Sequence, residues 1–107
     1  MAKNHIFVYN YTYNITMNFE WDEAKRQTNL QKHRLDFAEA ESVFAGATFT
    51  FEETRFEYDE DRYVTLGLLR GVVVVLAHTE REDVIRVISM RKATKNEQRL
   101  YFESFAG

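Results

Sequence analysis

Residues 62–97 read RYVTLGLLRGVVVVLAHTEREDVIRVISMRKATKNE, and they give the clearest indication of the fold. This stretch contains three runs rich in β-branched and apolar residues, at 62–69, 72–79 and 84–90, and short turn sequences separate them. The first turn is Leu69-Arg70-Gly71, which suits a tight hairpin, and the second is charged. The stretch therefore predicts three consecutive antiparallel strands.

A helix is predicted directly after these strands. Thr94 and Glu97 have the spacing of a capping box, in which each side chain binds the backbone N–H of the other residue. We expect this helix to run from Lys95 to about Ser104.

The part of the chain before this stretch predicts one short strand and two helices. Phe19 and Trp21 alternate with polar residues, which favours a strand. Asp22 is a good N-cap for a helix from Glu23 to about Lys32. Asp36, with Glu39 at capping-box spacing, begins a second helix that ends before Gly46. Its apolar face consists of Phe37, Ala40, Val43 and Phe44.

Beyond Gly46 the hydrophobic period changes from helical to alternating. Phe49 and Phe51 alternate with polar residues, which predicts a strand, and residues 52–61 form an acidic loop. The predicted order is β α α β β β β α. We therefore expect an α+β fold, with an antiparallel sheet, two N-terminal helices and a C-terminal helix.

Residues 1–16 differ from the rest of the chain. They carry one charged residue, Lys3, and alternate aromatic with polar side chains. We interpret them as an N-terminal extension, either flexible or forming an added edge strand. Residues 17–107 are expected to form a single domain, since a domain usually has roughly 100–200 residues.

Composition excludes several classes of function. The 107 residues include no cysteine, so a disulfide scaffold, a thiolate zinc site, an iron–sulfur cluster and a cysteine nucleophile are all excluded. The longest apolar run, residues 72–77, is far shorter than the ~18 residues of a membrane-spanning helix. The N-terminus has no apolar signal core, so we expect a cytoplasmic protein.

The net charge of −3 conceals an asymmetry between the two halves of the chain. Residues 1–61 carry 6 Lys/Arg and 12 Asp/Glu, whereas residues 62–107 carry 8 Lys/Arg and 5 Asp/Glu. The total lacks the basic balance that is typical of nucleic-acid binding, but the split between the halves is more informative than the total.

Two basic clusters are candidates for chemistry. Lys32 and His33 end the first predicted helix, where they either complement the helix dipole or supply a proton donor and acceptor. Arg86 lies inside an apolar strand, where it pairs with a carboxylate of residues 57–61, extends off an edge or faces a cleft. Arg91 and Lys92 lie at the junction with the last helix, whose N-terminal N–H groups could help them hold a phosphate.

One geometric difficulty concerns the arginines of the last strand. Strict alternation places Arg86 and Arg91 on opposite faces of the sheet. They converge on one site only if the chain bends or bulges after Ser89.

The remaining candidates are individually weaker. Arg62 begins a strand, the capping box alone explains Glu97, and core packing alone explains Tyr101. His78 ends the valine-rich strand and is interpreted as a structural histidine. With His33 and a carboxylate it could form a metal site, but no ligand motif supports this.

Taken together, these motifs resemble the BrnT family of bacterial toxins over about residues 17–103. Arg34 departs from the pattern, because the family more often has glycine after the histidine. The matching residues are Phe19-Glu-Trp-Asp22, Lys25, Asn29, Lys32-His33, Asp36-Phe37, Glu39-Ala40, Val43-Phe44, Arg62, Leu66-Gly67, Ile85-Arg-Val-Ile-Ser89, Arg91-Lys-Ala93, Glu97 and Tyr101.

The resemblance implies a compact fold similar to RelE-type ribonucleases, and a toxin that cuts RNA and so stops translation and growth. It also implies an antitoxin partner resembling BrnA, a ribbon-helix-helix DNA-binding protein through which the complex reaches operator DNA, and a toxin homodimer in that complex. No cofactor and no metal are expected. The implied catalytic candidates are His33, Arg62, Arg86, Arg91, Glu97 and Tyr101, with Lys32 and Lys92 as substrate-binding residues.

This assignment fits the chemistry of RNA cleavage without a metal. A base removes the proton of the 2′-hydroxyl, cations stabilise charge on the phosphate, and an acid protonates the leaving 5′-oxygen. His33 or Glu97 is the candidate base, and His33 or Tyr101 the candidate acid. The expected product is a 2′,3′-cyclic phosphate. The alternatives are an inactive protein-binding module of the same fold and a metal-dependent hydrolase that uses His33 and His78.

Overall fold

The computed structural model describes residues 17–54 and 60–106. The prediction for residues 1–16 and half of the predicted acidic loop, residues 55–59, lie outside the described residues. The elements in chain order are β1 (Asn18–Trp21), α1 (Glu23–His33), a 3₁₀ turn (Phe37–Glu39), α2 (Ala40–Phe44), β2 (Phe49–Glu52), β3 (Tyr63–Leu69), β4 (Val72–Arg81), β5 (Val84–Lys92) and α3 (Lys95–Glu103). The α+β class and the order of elements agree with the prediction.

The five strands form one sheet in the order β1-β5-β4-β3-β2. Strands β2 to β5 are an antiparallel meander, as predicted from the stretch 62–97. The β3–β4 hairpin turns at Arg70 and Gly71, which both have positive φ, the backbone conformation of a two-residue turn between twisted strands.

The prediction of a purely antiparallel sheet is wrong, because β1 pairs with β5 in parallel. Its register joins Phe19 to Ile85 and Trp21 to Val87. The apolar residues of β1 pack on the same core as those of β5, and this core determines the place of β1 at the edge. The sheet is therefore mixed.

The second predicted helix is shorter than expected and begins with the 3₁₀ turn. Asp36 does cap this turn, since its carboxylate accepts a hydrogen bond from the N–H of Ala38. Glu39 does not close a capping box, because its carboxylate binds Arg70 at the β3–β4 turn. Asp36 also receives two hydrogen bonds from Arg26, which hold its pKa below the usual range and tie α1 to the turn.

The two faces of the sheet carry different cores. On the first, here called the α2 face, residues of β4 and β5 such as Leu76, Ile85 and Met90 pack against Phe37 and Phe44. On the second, the α3 face, Leu66, Val73 and Val75 pack with Phe49 and with Tyr101 of α3.

Strand β5 contains one extra residue. Ala77 of β4 pairs with Ser89, whereas the next residue, His78, pairs with Val87, so Ile88 has no partner and forms a β-bulge. The side chains of Ile85 and Val87, before the bulge, and of Met90, after it, all lie on the α2 face. The bulge therefore shifts the alternation of side chains along β5 by one residue.

Helix α1 covers the outer edge of β5 where β1 has ended. The buried side chain of Asn29 hydrogen-bonds both the N–H and the carbonyl of Met90. The helix ends at His33, and the next residue, Arg34, has a left-handed φ of 61°, the conformation that glycine adopts most readily. Arginine at a position where the resembling family more often has glycine therefore makes this turn strained.

Candidate active site

An open cleft of about 490 Å³ lies on the α3 face. Its floor is formed by Val64, Val75, Ala77 and Ser89, which are neighbours across β3, β4 and β5. The end of β2 and residues 53–54 form one wall, and Arg91 with Glu97 lines the other side. The cleft thus combines a largely apolar floor with one wall that carries Glu52 and Glu53 and another that carries the Arg91–Glu97 pair.

Arg91 is held at this cleft by Glu97. Its Nη1 and Nη2 donate to the two carboxylate oxygens of Glu97, each at 2.8 Å, and Nη1 also donates to the carbonyl of Lys92 at 3.2 Å. This bidentate pair orients the guanidinium more strictly than a single contact would.

The pair leaves one edge of the guanidinium available. A guanidinium has five N–H donors, and those three hydrogen bonds leave the Nε–H and one hydrogen of Nη2 unused within residues 17–54 and 60–106. These two donors lie on the same edge and form a fork that fits two oxygens of a phosphate. With 40% of its side chain exposed, Arg91 is accessible to such a ligand.

Glu97 lies in the first turn of α3 and takes part in the cap of this helix. Its carboxylate accepts a hydrogen bond from the N–H of Thr94, while the Thr94 hydroxyl accepts one from the N–H of Glu97. The predicted capping box is therefore confirmed. The hydrogen bonds from Arg91 lower the pKa of Glu97 to about 2, so the carboxylate is ionised at neutral pH and is a weak base.

Arg86 lies on the same face of the sheet as Arg91. Arg86 pairs across the ladder with Thr79, and the bulge at Ile88 places both arginines on the α3 face. The expectation from strict alternation, which placed them on opposite faces, is therefore wrong. The carboxylate of Glu20 accepts a hydrogen bond from Arg86 at 3.0 Å, so the ion pair forms with β1.

Arg62 lies immediately before β3, next to Glu53 of the cleft wall. Its backbone carbonyl accepts a hydrogen bond from the N–H of Glu53, and its side chain is half buried. Arg62 is therefore a neighbour of a residue that lines the cleft, but Arg62 does not line the cleft itself.

Tyr101 is buried beneath α3, with 3% of its surface exposed. Its hydroxyl donates to the carbonyl of Ala47 at 2.9 Å, and burial raises its pKa. Rings of Phe102 and Phe105 pack edge-on against it. This environment favours a packing role for Tyr101.

The structure does not bring the basic cluster of α1 into the cleft. His33 is part exposed at the end of α1, one turn beyond Asn29, and Lys32 is exposed. Lys92 is exposed and pairs across the ladder with Val74, whose side chain belongs to the α2 face. None of these three residues lines the cleft.

His78 is a structural residue of the α2 face. It is fully buried, and its Nε2 shares a 2.6 Å hydrogen bond with the hydroxyl of Thr65, which in turn bonds Thr50 at 2.7 Å. Burial lowers the pKa of His78 to about 3, so the ring is neutral. In the described part of the chain no three His, Asp or Glu side chains form a group that could hold a metal ion, so the site imagined from His33, His78 and a carboxylate is not formed.

Two residues that contact the candidate site were not among the candidates taken from the sequence. Ser89 lies on the floor of the cleft, and Glu20 holds Arg86. The motif Ile85–Ser89 contained the first of these, but only the bulge shows which way Ser89 faces. The parallel pairing of β1 with β5 was needed to find Glu20.

The fold and this arginine-bearing cleft define a small α+β protein suited to binding a phosphate-containing substrate on an open sheet face. The sequence model described as "Ribonuclease toxin, BrnT, of type II toxin-antitoxin system" matches residues 21–97. The chain therefore belongs to the BrnT family, and the resemblance drawn from its motifs is confirmed. Family membership makes it a toxin of a type II toxin–antitoxin system with ribonuclease activity, and it implies an antitoxin partner. No curated protein matches this chain.

Within the described residues, no helix is both long enough and apolar enough to cross a membrane.

Proposed function

We propose that the protein is a metal-independent endoribonuclease whose cleft binds the scissile phosphate of RNA through Arg91. The observation that carries this proposal is the free edge of the Arg91 guanidinium, oriented at the cleft by Glu97. A fork of two N–H donors stabilises the negative charge that develops on the phosphate oxygens during attack by the 2′-hydroxyl. The product would be a 2′,3′-cyclic phosphate and a 5′-hydroxyl.

Two other arginines lie near this cleft without lining it. Arg86 lies on the same face, in a neighbouring depression with Glu20 and Glu60, and within residues 17–54 and 60–106 it donates one hydrogen bond, to Glu20, which leaves other guanidinium donors for a neighbouring phosphate. Arg62 lies immediately before β3, and its backbone carbonyl accepts a hydrogen bond from Glu53 of the cleft wall. Local binding of this kind suits a chain whose net charge of −3 gives no general attraction to RNA.

The environments of the three proton-transfer candidates differ. Glu97 is engaged with Arg91, Tyr101 is engaged with Ala47, and His33 lies at the end of α1, outside the cleft. A general acid or base must reach the proton that it transfers, so we assign proton transfer to none of the three.

The cellular role that we propose is arrest of translation and growth by RNA cleavage in the cytoplasm. An antitoxin resembling BrnA, with a ribbon-helix-helix DNA-binding region, would cover the cleft and connect the complex to operator DNA. We further propose a toxin homodimer in this complex and a similarity of fold to RelE-type ribonucleases.

The test compares wild-type protein with Arg91→Ala and Arg99→Ala. Arg99 is an exposed residue of α3 whose side chain bonds only Asn96 within the described residues, so it matches Arg91 in charge without belonging to the cleft. Purified wild type in EDTA should cleave RNA to cyclic-phosphate ends, and its induction in a bacterium should stop growth.

Arg91→Ala should lower the cleavage rate by ~10²–10³ and relieve the arrest, since that is the usual cost of losing a donor to a developing oxyanion. Arg99→Ala should behave as wild type. Intact RNA after incubation with folded wild type, or full activity of Arg91→Ala, would contradict the proposal.

A second candidate is a binding domain without ribonuclease activity. It is favoured by the fact that Arg86 and Arg91 are both already paired with carboxylates. In this case RNA would remain intact with and without EDTA, whereas an antitoxin-like protein would still bind tightly.

A further inference from the structure

Ser89 places a hydroxyl group on the floor of the cleft. It is part buried and pairs across the ladder with Ala77, a methyl group that offers no hydrogen bond. Within residues 17–54 and 60–106 no group hydrogen-bonds its hydroxyl, whereas Ser104 and Thr94 use theirs for local backbone bonds. An unused donor on the floor of a cleft is available to a ligand.

The bulge at Ile88 aligns this hydroxyl with the two arginines of β5. Arg86, Ser89 and Arg91 all face the α3 side, as their partners Thr79, Ala77 and Val75 show. Two ladder steps separate each member of this row from the next, which corresponds to about 7 Å per interval in a strand. Without the extra residue, Arg86 would face the opposite side.

We propose that Ser89 is a phosphate-binding residue, and that it donates its hydroxyl to the same RNA phosphate that the free edge of Arg91 binds. The proposal rests on the proposed function of the cleft. A row of one neutral and two cationic donors along a single strand follows an extended polyanionic backbone, and single-stranded nucleic acid is commonly bound along such a groove. Its substrate class is therefore single-stranded RNA lying along β5.

The experiment uses the full chain and three serine variants. Ser89→Ala removes the hydroxyl, Ser89→Thr restores it with one extra methyl group in an open cleft, and Ser42→Ala is the matched control on the exposed surface of α2. The measurements are kcat/KM on a single-stranded RNA oligonucleotide, the Kd of the same oligonucleotide with a 2′-deoxy sugar at the cleavage site, and Tm.

We expect Ser89→Ala to lower kcat/KM and weaken the Kd about 10- to 100-fold, the usual effect of one hydrogen bond to a charged group. Its Tm should stay that of the wild type. Ser89→Thr should recover most of the loss, which a merely structural role would not predict, and Ser42→Ala should show none.

Unchanged kcat/KM and Kd in Ser89→Ala, with Arg91→Ala inactive, would overturn this inference and leave the proposed function intact. A loss that Ser89→Thr does not recover would also overturn it, because the hydroxyl would then not be the cause. If the folded wild type neither cleaves nor binds RNA, the proposed function and this inference fail together.

Discussion

The side-chain amide of Asn29 on α1 binds both backbone groups of Met90 on β5. Its Oδ1 accepts from the Met90 N–H at 3.1 Å, and its Nδ2 donates to the Met90 carbonyl at 2.8 Å. Strand β1 ends its pairing with β5 at Val87, so this amide satisfies the polar groups that a longer β1 would have paired. One side chain thereby attaches α1 to the strand that carries Arg86, Ser89 and Arg91.

Replacing Asn29 should destabilise the fold. Asn29→Ala leaves three backbone groups unpaired, since the Nδ2 also donates to the carbonyl of Leu35. We expect a loss of about 2–4 kcal/mol in the free energy of unfolding, measured by urea denaturation. Gln31→Ala, on the exposed side of the same helix, should change it by less than ~0.5 kcal/mol. Equal stabilities of the two variants would contradict this role.

Glu97 should act as a positioning residue and not as the general base. Glu97→Gln keeps an oxygen for Thr94 but loses the charge that holds Arg91, so we expect a loss of about 10-fold in kcat/KM with an unchanged pH profile. Removal of a general base would cost ~10²–10⁴ in rate and abolish the corresponding limb of the profile. Glu103→Gln, at the other end of α3, is the control and should keep full activity.

Removal of the Tyr101 hydroxyl should affect stability and not catalysis. Tyr101→Phe loses the hydrogen bond to Ala47, so we expect a loss of about 1 kcal/mol in the free energy of unfolding. The rate of RNA cleavage should stay that of the wild type. A fall of ~10²–10⁴ in the rate would instead identify Tyr101 as the general acid.

The stability should fall with acidification because of His78. Burial lowers the pKa of His78 in the folded protein to about 3, whereas an unfolded histidine titrates near ~6.5. The unfolded chain therefore binds one more proton between these values. The stabilising contribution is complete above pH ~6.5 and is lost as the pH falls, by at most about 1.4 kcal/mol per pH unit.

Urea denaturation at pH values between 7.5 and 5 measures this slope. Burial of the ring is the main cause of the lowered pKa of His78, and it outweighs a backbone hydrogen bond with Thr79, which raises that pKa. His78→Gln should flatten the slope, whereas Gln31→Ala, which removes no ionisable group, should keep it. The lowered pKa of Glu97 also makes the free energy of unfolding fall with acidification, but only below about pH 4.5, which lies outside the range of pH 7.5 to 5. A slope unaffected by His78→Gln would contradict the prediction.

Features that depend on residues close together in the chain could be predicted from the amino-acid sequence. The three-stranded meander follows from apolar runs separated by turns, and the start of α3 from the Thr94–Glu97 capping box. Recognition of the family likewise needed only the order and spacing of motifs along the chain.

The pairing of β1 and the direction in which the side chains of β5 point depend instead on packing between distant parts of the chain. The parallel pairing of β1 with β5 joins residues more than sixty positions apart, and the shared core on the α2 face selects it, which no local pattern specifies. Packing on the same core also explains the bulge at Ile88. The bulge lets Ile85, Val87 and Met90 all reach that core, and as a consequence Arg86, Ser89 and Arg91 share the opposite face. Alternation predicts the face of a side chain only within an uninterrupted strand, so the composition of the cleft depended on packing at a distance.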